Sequence, residues 1–274
     1  MLEVYSHIIQ AVFMSHPLRL LPSERQQTIK RLALEQGVLR IGELAEKFQV
    51  SEMTIRRDLE MLESSGHIER TFGGAIITEQ ASFESSYSVR LHTHTPEKEA
   101  IARYASTLIQ DGDTIALDAS TTALALARMI SKRSVTVVTN SLDVAQELRN
   151  SRTKLILTGG YLRQVAGSFA GPIAQKALKE LRFDQAFISG KGIQIPGGLM
   201  DSDLDEVEVK RSMLESADRV NVLLDSSKFG KRALGLITPL DSIDLLISDS
   251  HIPVEALEAL NQFGIPHHIV KQPS

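Results

Sequence analysis

The stretch Ile41-Gly42-Glu43-Leu44-Ala45-Glu46-Lys47-Phe48-Gln49-Val50-Ser51-Glu52-Met53-Thr54-Ile55-Arg56-Arg57-Asp58-Leu59-Glu60-Met61-Leu62 encodes two short amphipathic helices around a tight turn. Ile41, Leu44, Ala45 and Phe48 fall at i, i+3, i+4 and i+7, the stripe of a helix with one buried face. Gln49 and Val50 make the turn, and Ser51 is placed to cap the next helix. There Ile55, Leu59 and Leu62 share one face. At about 100° per residue, Arg57 lies roughly 160° from that face, with Met53 and Glu60 beside it and Arg56 on the flank. Such an outward face suits the major groove, where guanidinium forks take guanine or phosphate and small or apolar groups take a thymine methyl.

Working outward, Pro22-Ser23-Glu24-Arg25-Gln26 reads as a helix start with Ser23 as N-cap and Gln26 completing a capping box. That helix buries Ile29, Leu32 and Ala33 and stops at Gly37, a candidate left-handed C-cap. Beyond Leu62, two short β segments in Gly66–Ile77 flank Gly73-Gly74, where glycine can take the positive φ of a hairpin turn. Together these elements predict a winged helix-turn-helix over residues 23–77. Its candidate contacts to a double-stranded DNA operator are Ser51, Met53, Thr54, Arg56, Arg57, Arg70, Gly73 and Gly74. Bulk charge does not supply this reading. Residues 23–75 carry eight Lys/Arg against nine Asp/Glu, whereas nucleic-acid binders are usually basic. The competing interpretation is a three-helix module that binds protein, with Arg56 and Arg57 on a solvated face.

Ile41 through Leu62, followed by Arg70-Thr71-Phe72-Gly73-Gly74-Ala75, resembles the signature of the DeoR family of bacterial regulators, and the similarity runs on from about Ser23 to Ser250. The resemblance implies a winged helix-turn-helix joined to a sensor domain that binds a small, usually phosphorylated, metabolite and is itself similar to ribose-phosphate isomerases. It also implies repression of a carbohydrate-catabolism operon, relieved by the effector. One winged domain makes few base contacts, so a homodimer or homotetramer reading repeated half-sites is expected.

The remaining chain supports a second domain. At 274 residues with 42% apolar content, the chain suits a small domain plus an α/β domain of roughly 150–200 residues. The absence of cysteine removes disulfides and thiolate metal sites and fits a cytoplasmic protein. No uncharged apolar run is long enough for a membrane span. Residues 1–22 lack the features of a signal peptide and read as a short arm or an over-extended start, with Met14 as an alternative initiator. Residues 78–95 are polar, with Ser82, Ser85, Ser86 and Ser88, and read as a linker. His92 and His94 there have metal-like spacing but no third ligand nearby, so no metal is expected; no cofactor is expected either.

Residues 96–274 read as the effector-sensing domain. Pro96 suits the first turn of a helix. Beyond Asp111-Gly112-Asp113, apolar runs alternate with amphipathic segments: Thr114–Leu117, Val135–Thr139, Lys154–Leu157, Gln185–Ile188, Val220–Leu224 and Leu245–Ile247. Short and β-branched, they read as buried strands of a mostly parallel sheet with helices on both faces. Parallel strands put their carboxyl ends on one edge, where open α/β sheets bind ligands. The residues following these runs are therefore effector candidates: Asp118, Ser120, Thr121, Thr122, Asn140, Ser141, Gly159, Gly160, Lys191, Asp225 and Lys228. Ser120, Thr121 and Thr122 precede a helix spanning Ala123–Ser131, whose first N–H groups favour an anion; plain N-capping is the commoner use of such a turn. Lys191 and Lys228 can add positive charge, and Asp118 can accept sugar hydroxyls. Lys191 stands where many family members carry a small or uncharged residue, which leaves open an extra phosphate contact, a different effector, or a side chain turned away. Asp201-Ser202-Asp203-Leu204-Asp205-Glu206-Val207-Glu208 lacks the glycine and spacing of a calcium loop and reads as the acidic start of a helix. Glu206 and Lys210 form an i, i+4 pair on it, in the plain reading an exposed ion pair; the family pattern puts them near the ligand cleft.

An isomerase is the serious rival function. Aldose–ketose isomerisation needs a carboxylate base and groups that stabilise an enediolate. The isomerases resembled here use Asp-Gly-Ala-Asp-Glu and Lys-Gly-Gly-Gly-Gly segments. This chain has Ser189-Gly190-Lys191-Gly192-Ile193 instead, with no acidic pair, so no catalytic residue is assigned.

Overall fold

The computed structural model describes residues 21–36, 38–64, 68–71, 73–77 and 87–271, and the chain divides into two compact units, residues 1–85 and 86–274. The expected arm with Met14, the Gly37 cap and the serines 82, 85 and 86 lie outside the described residues.

In the first unit, helix α1 (Pro22–Gln36) is followed by strand β1 (Val38–Arg40), helices α2 (Ile41–Phe48) and α3 (Glu52–Ser64), and the wing strands β2 (Ile68–Thr71) and β3 (Gly74–Ile77). The sheet order is β1-β3-β2, antiparallel throughout. Its core joins Ile29, Leu32 and Ala33 of α1 to Leu44, Ile55, Leu59 and Leu62, with Ile68 and Ala75 from the wing. Gln49 adopts a left-handed conformation at the turn, φ 51°, and the Ser51 hydroxyl accepts from Thr54 N at 3.2 Å.

Two local expectations change. Helix α1 begins at Pro22, so Ser23 is inside it rather than its cap. Proline is preorganised for a first helical position, and the Leu21 N–H donates to the Glu24 carboxylate at 3.0 Å. Gln26 serves another purpose: its Nε2 donates to Asp58 at 3.0 Å. In the wing only Gly73 turns, with φ 94°. Gly74 is already in β3, where a Cβ would lie 2.0 Å from the Leu39 carbonyl oxygen; glycine there permits close strand approach.

The second unit opens with α4 (Tyr87–His92) and α5 (Thr95–Thr107). The interval expected as linker is thus helical from Tyr87, because Tyr87 and Leu91 pack on the core. His92 ends α4, and His94 caps α5 in a left-handed conformation. Then follow β4 (Thr114–Leu117), α6 (Thr121–Ile130), β5 (Thr136–Thr139), α7 (Leu142–Leu148), β6 (Lys154–Leu157), β7 (Tyr161–Arg163), β8 (Ser168–Ala170) and α8 (Pro172–Lys179). The chain continues through β9 (Gln185–Ile188), β10 (Gly192–Gln194), β11 (Gly198–Asp201), α9 (Leu204–Glu215), β12 (Val220–Leu224), β13 (Gly235–Thr238), β14 (Leu245–Asp249), α10 (Val254–Gln262) and β15 (His267–Val270).

Seven strands form one parallel sheet in the order β15-β14-β12-β9-β4-β5-β6. Alternation sends Ile115, Leu117, Val137, Phe187, Leu223 and Ile247 to one face, under α5, α6 and α7. Ala116, Val138, Ile188, Val222, Leu224 and Leu246 go to the other, under α8, α9 and α10. All six expected strands are present. The seventh, β15, is an edge strand with two histidines and little burial, so its apolar signal is weak. Two small antiparallel sheets, β10-β11-β13 and β7-β8, were not expected; their strands are three or four residues long. Among the described residues no helix is long and apolar enough to cross a membrane.

Asp58 ties α3 to α1. It is buried, and its carboxylate binds Arg25 Nε at 2.5 Å as well as Gln26. Asp58→Ala leaves Arg25 buried without this carboxylate and is expected to destabilise the first unit by about 3–5 kcal/mol. Thermal denaturation followed by circular dichroism checks this; a variant that melts like the parent would remove the strut.

Candidate functional site

The outer face of α3 exposes Met53, Arg56, Arg57, Glu60 and Met61, while Ile55, Asp58, Leu59 and Leu62 are buried. Arg57 has no carboxylate within ion-pair distance among the described residues. Arg56 lies 3.5 Å from Glu52, an exposed pair worth only a few tenths of a kcal/mol. Ser51 and Thr54 sit at the start of α3 with their hydroxyls 2.9 Å apart. Arg70 behaves differently from a free contact. Its guanidinium binds Glu60 at 2.6 Å and Glu63 at 3.3 Å, and its N–H donates to Glu63 at 3.0 Å. Arg70 therefore braces the wing against α3, a role the sequence reading missed because it joins residues ten positions apart.

In the second unit the chain runs β4, β5, β6 to one side and then returns to place β9 on the other side of β4. The crevice between β4 and β9 is thus the topological switch point. Asp118, directly after β4, is fully buried. One of its oxygens accepts from Ser120 N at 3.1 Å, the other from Ser189 N, after β9, at 2.8 Å. Lys210 Nζ reaches the same spot from α9: 2.6 Å from Asp201, 3.3 Å from Asp118 and 2.9 Å from the Ser189 carbonyl. Burial opposes charge on Lys210, but Asp201 and Asp118 outweigh it and hold the lysine protonated. Lys210 and Lys191 in turn overcome the burial of Asp201 and lower its pKa.

Several expectations are corrected here. Asp118, besides being a candidate contact, accepts from Ser120 and Ser189 and pairs with Lys210, ties the sequence did not show. Asp201 belongs to β11, and the helix start is capped by Asp203, which accepts from Glu206 N at 3.0 Å. Glu206 and Lys210 are both buried and bind different partners: Glu206 takes Arg163 at 2.9 Å and the Ser168 hydroxyl. Arg163 also binds Asp203 at 2.6 Å, fastening the β7-β8 hairpin to α9. Helix α6 begins at Thr121, so Thr121 and Thr122 are in its first turn, and Ser120 is the N-cap, accepting from Ala123 N at 3.0 Å. Ser141 likewise caps α7, accepting from Val144 N at 3.2 Å.

The candidates form two neighbourhoods on the carboxyl edge. Ser141 bridges Ser168, placing Asn140 and Ser141 with Arg163 and Glu206. Asn140 Nδ2 donates to Phe169 O at 3.2 Å, while its Oδ1 is buried without a partner among the described residues. Gly159 and Gly160 turn the chain out of β6 with φ 69° and 109°; a Cβ at Gly160 would lie 2.3 Å from the Ala170 carbonyl oxygen. The second neighbourhood is cationic. Lys228, in the turn after β12, acts on Lys191, after β9, and both feel Arg90 of α4. Burial, reinforced by the charge of Arg90, pushes Lys191 down to about 7, with Asp201 opposing. Burial also lowers Lys228, and takes Lys98 of α5 down to about 8. Asp225 raises both again, while its own carboxylate accepts from Ser227 N at 3.1 Å. Arg90 and Lys98 had no sequence signal, because α4 read as linker. Lys210→Met removes the ammonium shared by Asp118 and Asp201 and is expected to destabilise this unit by about 3–5 kcal/mol. Urea denaturation measures the loss, and unchanged stability would show that the cluster is not a strut.

Comparison with known proteins matches the DeoR-like helix-turn-helix domain at residues 25–81 and the DeoR C terminal sensor domain at residues 93–250. The chain is 38% identical over 242 residues to the HTH-type transcriptional regulator YulB of Bacillus subtilis, covering 88% of this chain and 94% of that one. It is 34% identical over 230 residues to the transcriptional repressor AccR of Agrobacterium fabrum, covering 83% and 89%. Among solved structures, ribose 5-phosphate isomerase A from Methanocaldococcus jannaschii matches with a TM-score of 0.36 at 19% identity, over 49% of this chain and 54% of that one. A winged helix-turn-helix, a parallel α/β sensor sheet and sequence matches spanning both identify the chain as a DNA-binding transcriptional regulator that belongs to the DeoR family.

Proposed function

We propose that this regulator represses a carbohydrate-catabolism operon and leaves its operator when a phosphorylated sugar binds at the carboxyl edge of the sensor sheet. The convergence of Lys191 and Lys228, both driven toward neutrality by burial, carries this reading. A phosphate dianion would offset the cost of gathering these charges. The first turn of α6, with Thr121 and Thr122, offers N–H groups to an anion, and the unpartnered Asn140 Oδ1 suits a sugar hydroxyl. This reading assigns no catalytic residue, and Glu206 is paired with Arg163 and Ser168.

The effector reading makes a pH-dependent prediction. Lys191 titrates near 7 without ligand, and a bound dianion raises it, so binding takes up a proton. Affinity then falls as pH rises above about 7. It also falls below about 6, where a phosphate monoester loses its second charge. Calorimetry against a panel of sugar phosphates, in buffers of different ionisation enthalpy, should find one selective ligand with this profile. Indifference to the whole panel would refute the effector class.

On the DNA side, Arg57 is the proposed base reader, Arg56 a phosphate contact and Arg70 a brace for the wing, in a homodimer or homotetramer that reads repeated half-sites. Arg57→Ala is expected to cost about 1–3 kcal/mol of operator affinity and leave effector binding intact. Retention of the specific footprint would assign base reading to other residues.

A further inference from the structure

We propose that Arg90 is an anion contact of the effector site, and that α4 is thereby a ligand-binding element through which occupancy reaches the chain segment leading to the winged unit. This rests on reading the carboxyl edge as an anion site. Lys98 of α5, Lys191 in the turn after β9 and Lys228 in the turn after β12 each lie within electrostatic reach of the Arg90 guanidinium. Arg90 is held in part through its own helix. Its guanidinium lies over the Tyr87 ring, 5.3 Å from the centroid, and Tyr87 and Leu91 seat α4 on the sheet core.

Lys98 ties the arrangement together. Buried itself, its ammonium donates to the carbonyl oxygens of Arg90 and, at 2.6 Å, Thr93. The C-terminal end of α4 is thus closed by one of the cations that surround the site. Carboxylates act on the three lysines too, Asp225 and Glu97 on Lys98, Asp201 on Lys191, and Asp225 and Asp201 on Lys228, yet each lysine remains lowered. Their mutual repulsion is relieved when an anion enters. A guanidinium can grip two phosphate oxygens at once, which a lysine cannot. Helix α4 begins at Tyr87, two residues beyond the division between the units at residue 85. An anion gripped by Arg90 therefore stiffens the first element of the sensor unit.

The test uses the full chain with inorganic phosphate and ribose 5-phosphate as probes. Arg90→Gln is expected to weaken binding about 10- to 100-fold, the worth of a charge-assisted hydrogen bond, and Arg90→Lys by less. Hydrogen–deuterium exchange should slow across residues 87–95 of the parent protein when either probe is bound, and should not in Arg90→Gln. Unchanged affinity in Arg90→Gln, or unchanged exchange at 87–95 in the liganded parent, overturns the proposal. If Arg90→Gln does not fold, the exchange measurement on the parent decides alone. Loss of binding in Lys191→Gln but not in Arg90→Gln would sink this inference while sparing the anion site. Failure of both probes to bind the parent would remove the two together.

Discussion

The sensor unit depends on one buried ammonium. Lys210 stands at the switch point of the sheet, where it joins the strand end at Asp118, the strand end at Ser189 and the small sheet at Asp201. Buried charge is costly unless paired and hydrogen-bonded, and here two carboxylates and a carbonyl meet that condition. The geometry of the crevice follows. Asp118 spans β4 and β9 through the Ser189 amide. The Asp201 end of β11 is drawn against the sheet edge, which brings the neighbouring Lys191 backbone under Met200 O at 2.9 Å.

The surrounding charges divide by how fully the fold compensates them. Lys210 is held protonated by its partners, whereas Lys191, Lys98 and Lys228 are pushed the other way by burial. A cation that is fully compensated has little to gain from a ligand; one that is undercompensated has much. The same contrast orders the winged unit. Arg25 is locked to Asp58 and Arg70 to Glu60 and Glu63, while Arg57 faces outward. Residues 23–75 carry no net positive charge, so bulk attraction to the DNA backbone adds little.

What was legible in the sequence were the features with local periodicity. The stripe Ile41, Leu44, Ala45, Phe48 and the Ile55, Leu59, Leu62 face specified the paired helices, and six β-branched runs specified six of the seven strands, because burial on a helix face or within a parallel sheet imposes a repeat that single residues report. Polar residues follow those strands and gather on one edge of the sheet, as the parallel order requires. Tertiary structure alone decided what each polar residue does there. Asp58 with Arg25, Glu206 with Arg163 and Lys210 with Asp118 join positions from 33 to 92 apart. Such a pair leaves no pattern along the chain; only the fold brings its members within hydrogen-bonding reach, and only burial makes the pairing obligatory. For that reason the ion pairs of Asp118 with Lys210 and of Glu206 with Arg163 left no trace in the sequence, while Arg90, in a stretch that read as linker, lies within electrostatic reach of Lys191 and Lys228.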